Sequence, residues 1–256
     1  MSGWELLVKW TPKMLDGVAL TLELVAIAVV AGLLLALPLG IGRASRHWHV
    51  RALPSARVVY DCMDHHGGFE NNAGEILAAE SRLVADADLV IVTSGWLERE
   101  VAPRARAIAT VRNGCEHCFF RDPPAAVFRD EAGRRVIGYF GAIAEWFDLA
   151  LVREVAKAHP DALVLLVGND TVGAGAALAD LPNVRLTGEV RYEELPYWVH
   201  GFDVCLLPFR VIPLTEATNP VKVYEYLAAG KPVVAVDLPE MAQFDGLVHV
   251  AAHAAG

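Results

Sequence analysis

Three side chains near position 222 have the types and spacing of a site for an anion and a hydroxyl-rich group. Lys222, Glu225 and Tyr226 follow one another at i, i+3 and i+4, so a helix places them on one side. Asn219 is a good N-cap and Pro220 fits the first helical position. Lys222 would then lie in the first turn, where free backbone N–H groups and the helix dipole favour a phosphate. An ordinary surface helix with a solvated Lys–Glu pair is the alternative.

The loop between Asp61 and Phe69 is a second place where chemistry could occur. It follows a predicted buried strand, and ligands of open α/β sheets collect beyond the carboxyl ends of the strands. His65 and His66 lie side by side in this loop, and an imidazole can carry a proton near neutral pH. His65 is therefore a candidate catalytic residue, although the pair is equally compatible with a loop that has no role.

The cysteines do not form a recognisable metal site. Cys115 and Cys118 make one C-x-x-C pair, but no second pair and no H-x-x-x-H sequence completes a tetrahedral shell. A zinc or redox role stays open, but buried or incidental thiols in a reducing compartment fit better. We expect neither a metal nor a cofactor.

Composition excludes one class of partner and indicates a membrane segment. With a formal net charge of −9, the chain lacks the concentrated basic surface that general binding to nucleic acid requires. Glu23 is the only charged residue in the mostly apolar run 17–40, and a spanning helix needs about 20 mostly apolar residues. Two lysines precede this run and four arginines between 43 and 57 follow it. The positive-inside rule thus predicts a single pass through the inner (cytoplasmic) membrane, with the C-terminal bulk in the cytoplasm; a buried hydrophobic helix is the alternative.

The rest of the sequence alternates strands and helices in two blocks. Residues 1–54 form the predicted membrane-anchor segment, and residues 55–120 form the first α/β block. A polar, proline-containing linker covers 121–135, and the second block covers 136–256. Regular alternation of this kind predicts α/β architecture with Rossmann-like, doubly wound parallel sheets.

Gly141 ends the first predicted strand of the second block, Val136–Gly141. A glycine there lets a backbone approach a diphosphate closely, although it also suits an ordinary turn. The sequence from 138 to 148 is not G-x-G-x-x-G, so the dinucleotide fingerprint is absent.

Two segments carry a resemblance to a known family. Leu-Pro-Phe at 207–209 and Asn-Pro-Val-Lys-Val-Tyr-Glu-Tyr-Leu-Ala-Ala-Gly-Lys-Pro-Val-Val at 219–234 resemble the donor-site signature of retaining GT-B glycosyltransferases, the glycosyl transferases group 1 family. Together with the glycines at strand ends, the resemblance covers residues 136–250. It implies transfer of a sugar, with retention, from a nucleoside diphosphate sugar to a hydroxyl of a glycan or lipid-linked acceptor.

The resemblance also implies roles for particular residues. Lys222 would stabilise the charge that develops on the leaving diphosphate, and Glu225 would contact the ribose hydroxyls of the donor. Four further residues are candidates for donor binding: Gly141, Asn219, Pro220 and Tyr224.

The resemblance has gaps, and other functions stay open. Where many members have another glutamate eight positions before 225, this chain has Ala217. The membrane segment occupies the place of the opening βα units, so we expect an incomplete N-terminal, acceptor-side domain. A membrane-tethered nucleotide-sugar-binding fragment without turnover is one alternative. A transporter fragment is another, because residues 14–53 resemble the first transmembrane helix of polar amino-acid ABC transporter permeases.

Overall fold

The computed structural model describes residues 57–69 and 74–251, and the predicted membrane segment 17–40 lies outside them. Within the described ranges, no helix is both long and apolar enough to cross a bilayer. The membrane anchor therefore stays a prediction from the sequence.

The described residues form nine β-strands and eight α-helices. The strands are β1 (Val59–Cys62), β2 (Leu89–Val92), β3 (Ile108–Thr110), β4 (Arg135–Phe140), β5 (Ala162–Val167), β6 (Val184–Leu186), β7 (Val204–Leu207), β8 (Val233–Val236) and β9 (Val248–Ala251). The helices are α1 (Gly74–Asp86), α2 (Gly95–Val101), α3 (His117–Arg121), α4 (Leu149–Ala158), α5 (Ala174–Ala177), α6 (Leu195–Val199), α7 (Pro213–Glu216) and α8 (Val221–Ala228). Short 3-10 helices lie at His66–Gly68, Tyr192–Glu194 and Pro239–Phe244.

All strands pair in parallel, in two sheets. The first sheet has the order β1-β2-β3, and the second has the order β6-β5-β4-β7-β8-β9. The second order is that of a doubly wound sheet, with its switch point between β4 and β7. The α/β architecture with parallel sheets is confirmed, and the switch point predicts where a ligand enters.

Each sheet has its own hydrophobic core. Strand β5 is the centre of the larger core, because Leu163 to Val167 are all buried, as expected for a parallel strand covered on both faces. The smaller core surrounds β2 and includes Ala217, which reaches it from the segment between α7 and α8. The loop after β7 therefore connects the two cores.

The N-terminal boundary of α8 differs from the prediction. The helix begins at Val221 with Pro220 as N-cap, and no side chain caps it. Asn219 was expected to be the cap, but its side chain binds partners elsewhere in the chain. Gly230 closes the helix in the left-handed conformation at φ +68, the conformation that favours glycine after a helix.

Candidate functional site

Two glycines let the ends of β4 and β5 approach each other beside the switch point. Gly141 follows β4 with φ +128, and Gly168 follows β5 with φ +150. A Cβ atom on Gly168 would lie 2.0 Å from the carbonyl oxygen of Gly141, a distance that real Cβ atoms do not adopt. The floor of the site is therefore bare backbone.

The side chain of Lys222 crosses directly over Gly141. A Cβ atom at position 141 would lie 2.0 Å from Cε and 2.7 Å from Nζ of Lys222. The ammonium nitrogen lies 5.9 Å from the ring centroids of both Tyr139 and Phe209. Burial lowers the pKa of Lys222, while the nearby charge of Glu225 opposes this shift. The fold thus holds a cation beside an open glycine backbone.

Glu225 lies one helical turn after Lys222 and keeps only 7% of its surface exposed. Burial raises the pKa of Glu225, and the charge of Lys222 opposes this shift. Among the described residues, no hydrogen-bond donor is paired with its carboxylate, yet neither oxygen is fully buried. Both oxygens are therefore available to accept hydrogen bonds from a ligand.

The charge of Glu225 is felt at Cys115 and Tyr192. Burial raises the pKa of both groups, and the charge of Glu225 adds to each shift. The ring of Tyr192 stacks on Phe119 with centroids 5.2 Å apart and planes 9° apart. Cys115 and Cys118 are free thiols.

Tyr226 packs between α8 and strand β4. It is fully buried, and its hydroxyl accepts a hydrogen bond from the N–H group of Phe140, the last residue of β4, at 3.1 Å. The two rings meet edge to face, with centroids 4.9 Å apart. Its i+4 spacing from Lys222 therefore serves to fix α8 on the sheet, not to present a hydroxyl to a ligand.

The polar atoms of Asn219 and Tyr224 form hydrogen bonds within the protein. The amide oxygen of Asn219 accepts from the N–H group of Asn113 and from the Tyr224 hydroxyl, both at 3.0 Å. Its amide nitrogen donates to Glu240 at 3.0 Å. The Asn219 side chain is thus occupied by the protein. Pro220 is buried at the start of α8.

His65 lies in the loop after β1, in the part of the chain that forms the first sheet. Its ring packs against Trp96 with centroids 4.7 Å apart. A Cβ atom on neighbouring Gly68 would lie 2.9 Å from Cβ of Leu214, so this loop abuts α7. No hydrogen bond or ion pair joins His65 to Lys222 within the described ranges. The two candidate catalytic residues are therefore not brought into direct contact.

Sequence reasoning missed several contributors to the site. The rings of Tyr139 and Phe209 flank Lys222, and the signal for Phe209 was its place in the resemblance segment at 207–209. Nothing in the sequence indicated Glu240, whose carboxylate bonds Arg112 across 128 positions of chain. At position 217, where many members of the resembling family have a glutamate, the alanine is fully buried.

Among the described residues, no group of three side chains that could hold a metal ion occurs.

Comparison with known proteins identifies the part of the chain that carries this site. Residues 134–254 match the family model described as Glycosyl transferases group 1. This part of the chain is therefore similar to that family. The match contains Gly141, Lys222 and Glu225.

A curated relative extends the match toward the N-terminus. The putative teichuronic acid biosynthesis glycosyltransferase TuaH of Bacillus subtilis strain 168 is 32% identical over 203 residues. The aligned region covers 72% of this chain and 51% of TuaH, so the chain spans about half the length of that relative.

Solved structures show the same fold at low sequence identity. Anabaena HepE, crystallised with UDP and glucose, has a TM-score of 0.61 at 19% identity, covering 79% of this chain and 60% of HepE. Sucrose-phosphate synthase from Thermosynechococcus elongatus has a TM-score of 0.61 at 16% identity, covering 80% of this chain and 57% of that enzyme. These similarities confirm the GT-B-type fold. They give no support to the permease resemblance of residues 14–53.

Proposed function

We propose that this chain is a glycosyltransferase that binds a nucleoside diphosphate sugar and transfers its sugar to an acceptor hydroxyl with retention. The observation that carries the proposal is the position of Lys222 over Gly141, with the unpaired carboxylate of Glu225 one turn away. In a nucleoside diphosphate sugar the diphosphate is bonded directly to the ribose, so neighbouring groups on one helix face could bind both. The site lies at the switch point of the larger sheet, where doubly wound folds bind ligands.

The diphosphate would bind beside the ammonium group of Lys222, at the end of β4 where Gly141 leaves no side chain in the way. No side chain caps α8, and although the N–H group of Val223 donates to the carbonyl of Pro220, the helix dipole favours negative charge at this end. As the bond to the sugar breaks, negative charge grows on the diphosphate. A desolvated ammonium that is already in position stabilises this charge more strongly than one in water.

Glu225 would bind the ribose of the donor. A carboxylate accepts from two adjacent hydroxyls, and charge-assisted hydrogen bonds of this kind are stronger than neutral ones. His65, in the loop after β1, is the candidate proton carrier for the acceptor hydroxyl. This arrangement uses neither a metal nor a cofactor.

The relatives suggest the substrate class. HepE was crystallised with UDP and glucose, and TuaH is described as acting in teichuronic acid biosynthesis. We propose a UDP-sugar as donor and a glycan or lipid-linked intermediate of envelope or exopolysaccharide synthesis as acceptor. The predicted membrane segment fits such an acceptor, and we propose attachment to the inner (cytoplasmic) membrane with the α/β part in the cytoplasm.

Calorimetric titration of the full-length chain with UDP-glucose, UDP-N-acetylglucosamine and GDP-mannose tests donor binding. We expect saturable binding of a UDP-sugar and a loss of about tenfold or more in Glu225→Gln, since hydrogen bonds to charged groups contribute about 1.5–3 kcal/mol. Glu154→Gln is the matched control, because Glu154 is exposed on α4, where it forms an ion pair with Lys157. Absence of binding, or equal loss in both variants, refutes the donor site.

Product formation separates a transferase from a binding protein. The same preparations are incubated with a radiolabelled UDP-sugar and with polysaccharide and lipid-linked glycans extracted from bacterial envelopes. Transfer of label is the expected result. Binding of the donor without transfer to any glycan, and without release of UDP, would identify a non-catalytic binder. Recovery of the full-length chain in the soluble fraction without detergent would contradict membrane attachment.

A further inference from the structure

The carboxylate of Glu240 joins the two sheets. Glu240 follows β8, and only 5% of its surface is exposed. It accepts a hydrogen bond from the N–H group of Gly95, at the start of α2, at 2.8 Å. It also accepts from Arg112 Nε at 2.9 Å, from Asn219 Nδ2 at 3.0 Å and from Gln243 Nε2 at 3.2 Å. Two of these donors belong to the smaller-sheet side of the molecule, and two belong to the larger-sheet side.

Asn219 extends this network to the start of α8. Its side-chain oxygen accepts from the N–H group of Asn113, and its carbonyl oxygen accepts from Asn113 Nδ2 at 2.6 Å. Lys222 follows three positions later. The loop after β3 and the first turn of the donor-binding helix are therefore held at a fixed separation.

Only a carboxylate satisfies all the donors around position 240. Four N–H groups converge on two oxygens, and an ionised carboxylate is an acceptor at both. A glutamine at this position would replace one acceptor oxygen by an NH₂ group, which is itself a donor and would leave at least one of the four N–H groups without an acceptor. Because buried donors that lose their partners are costly, this site is specific for a negative charge.

We propose that Glu240 is a positioning residue for sugar transfer: it holds α8, and with it the donor at Lys222 and Glu225, in one alignment with the acceptor-side sheet. The inference rests on the proposed function. Within the part of the chain that the structure describes, no hydrogen bond or ion pair joins Glu240 to Lys222 or Glu225, so donor binding and transfer should respond differently to its loss. Misplacement of reacting groups by about 1 Å costs on the order of a hundredfold in rate.

The test compares donor affinity with transfer rate in full-length variants. In Glu240→Gln we expect the dissociation constant for the UDP-sugar to stay within about threefold of wild type, while kcat falls by about tenfold or more. Arg112→Ala should show the same pattern more weakly, because Gly95 and Asn219 still hold the carboxylate, and Arg112→Lys should recover part of the rate. Glu154→Gln should change neither quantity.

The outcomes separate this inference from the proposed function. If wild type transfers sugar and Glu240→Gln has the same kcat, the positioning role is refuted and the proposed function stands. If Glu240→Gln loses donor affinity and rate equally, Glu240 acts on the donor site or on the fold, and the positioning role is again refuted. If Glu240→Gln does not fold, unchanged kcat in folded Arg112→Ala refutes it. If wild type neither binds nor transfers, the proposed function fails and the inference fails with it.

Discussion

Replacing Gly141 by alanine tests the contact that defines the site. The new Cβ atom would lie 2.0 Å from Cε and 2.7 Å from Nζ of Lys222. Carbon atoms in contact lie about 3.5–4.0 Å apart, so the lysine chain must move by roughly 1.5–2 Å. Hydrogen bonds between an ammonium and a phosphate oxygen span about 2.7–2.9 Å. A displacement of this size breaks them.

The expected losses follow from two separate effects. Losing a charged hydrogen bond costs about 1.5–3 kcal/mol, which corresponds to a decrease in donor affinity of about 10- to 150-fold. The φ of +128 at position 141 adds backbone strain, which lowers the free energy of unfolding by about 1–3 kcal/mol. Affinity is measured by calorimetric titration with a UDP-sugar, and stability by denaturant unfolding.

Gly133→Ala is the matched control. Gly133 also has a positive φ, +68, but an added Cβ atom would meet no atom within 4 Å. It should lose about 1–2 kcal/mol of stability and no donor affinity. If Gly141→Ala binds the donor as wild type does, the lysine does not contact the diphosphate and the reasoning is refuted. In Lys222→Met, adding Gly141→Ala should weaken binding no further, because both changes remove one interaction.

Three further predictions follow from other contacts. Burial lowers the pKa of Lys222 below its ordinary 10.5, so the free protein loses the ammonium proton as the pH rises toward 10.5. A bound diphosphate favours the protonated lysine, so donor binding in this pH range should take up a proton. Calorimetry in buffers of different ionisation enthalpy should detect this uptake in wild type and not in Lys222→Met. Asn183→Ala should lower the free energy of unfolding by about 1–3 kcal/mol in denaturant titrations, because the buried amide of Asn183 donates to three backbone carbonyls around the end of α4 and the start of β5. Gly138→Ala should destabilise by about 1–3 kcal/mol or more, because the new Cβ atom would lie 2.2 Å from the buried ring of Phe202; wild-type thermal stability would contradict this packing.

The strands of the larger sheet could be predicted because a buried parallel strand is visible in the sequence as a short run of consecutive apolar residues. Strands covered on both faces are continuous apolar runs, and the strand predicted at Val136–Gly141 appears as β4, Arg135–Phe140. The helix α8 was also predicted from its own residues, through the spacing of Lys222, Glu225 and Tyr226.

The start of α8 could not be predicted from local preference. Asparagine is a favoured N-cap, but the Asn219 side chain bonds Asn113, which lies 106 positions earlier. Periodicity likewise identifies an apolar face without showing what covers it. In α1 only Val84 is buried, whereas Ile76 and Leu83 are 48% and 40% exposed.

The candidate site was predicted in part. The helix spacing of Lys222 and Glu225 placed both on one face, and the glycine turn at 141 was visible in the sequence. Lys222 lies next to Gly141 because β4 and β7 are neighbours in the sheet, and only the fold shows this strand order. The Glu240 network depends on contacts between distant segments, so no local pattern could indicate it.

The affinity of UDP for the full-length chain, compared between wild type and Lys222→Met, tests the central claim most directly. The account predicts that the variant binds UDP about 10- to 150-fold more weakly, by the same charged-contact estimate, while both proteins bind uridine equally. Equal affinity for UDP in the two proteins would contradict the placement of the diphosphate at Lys222.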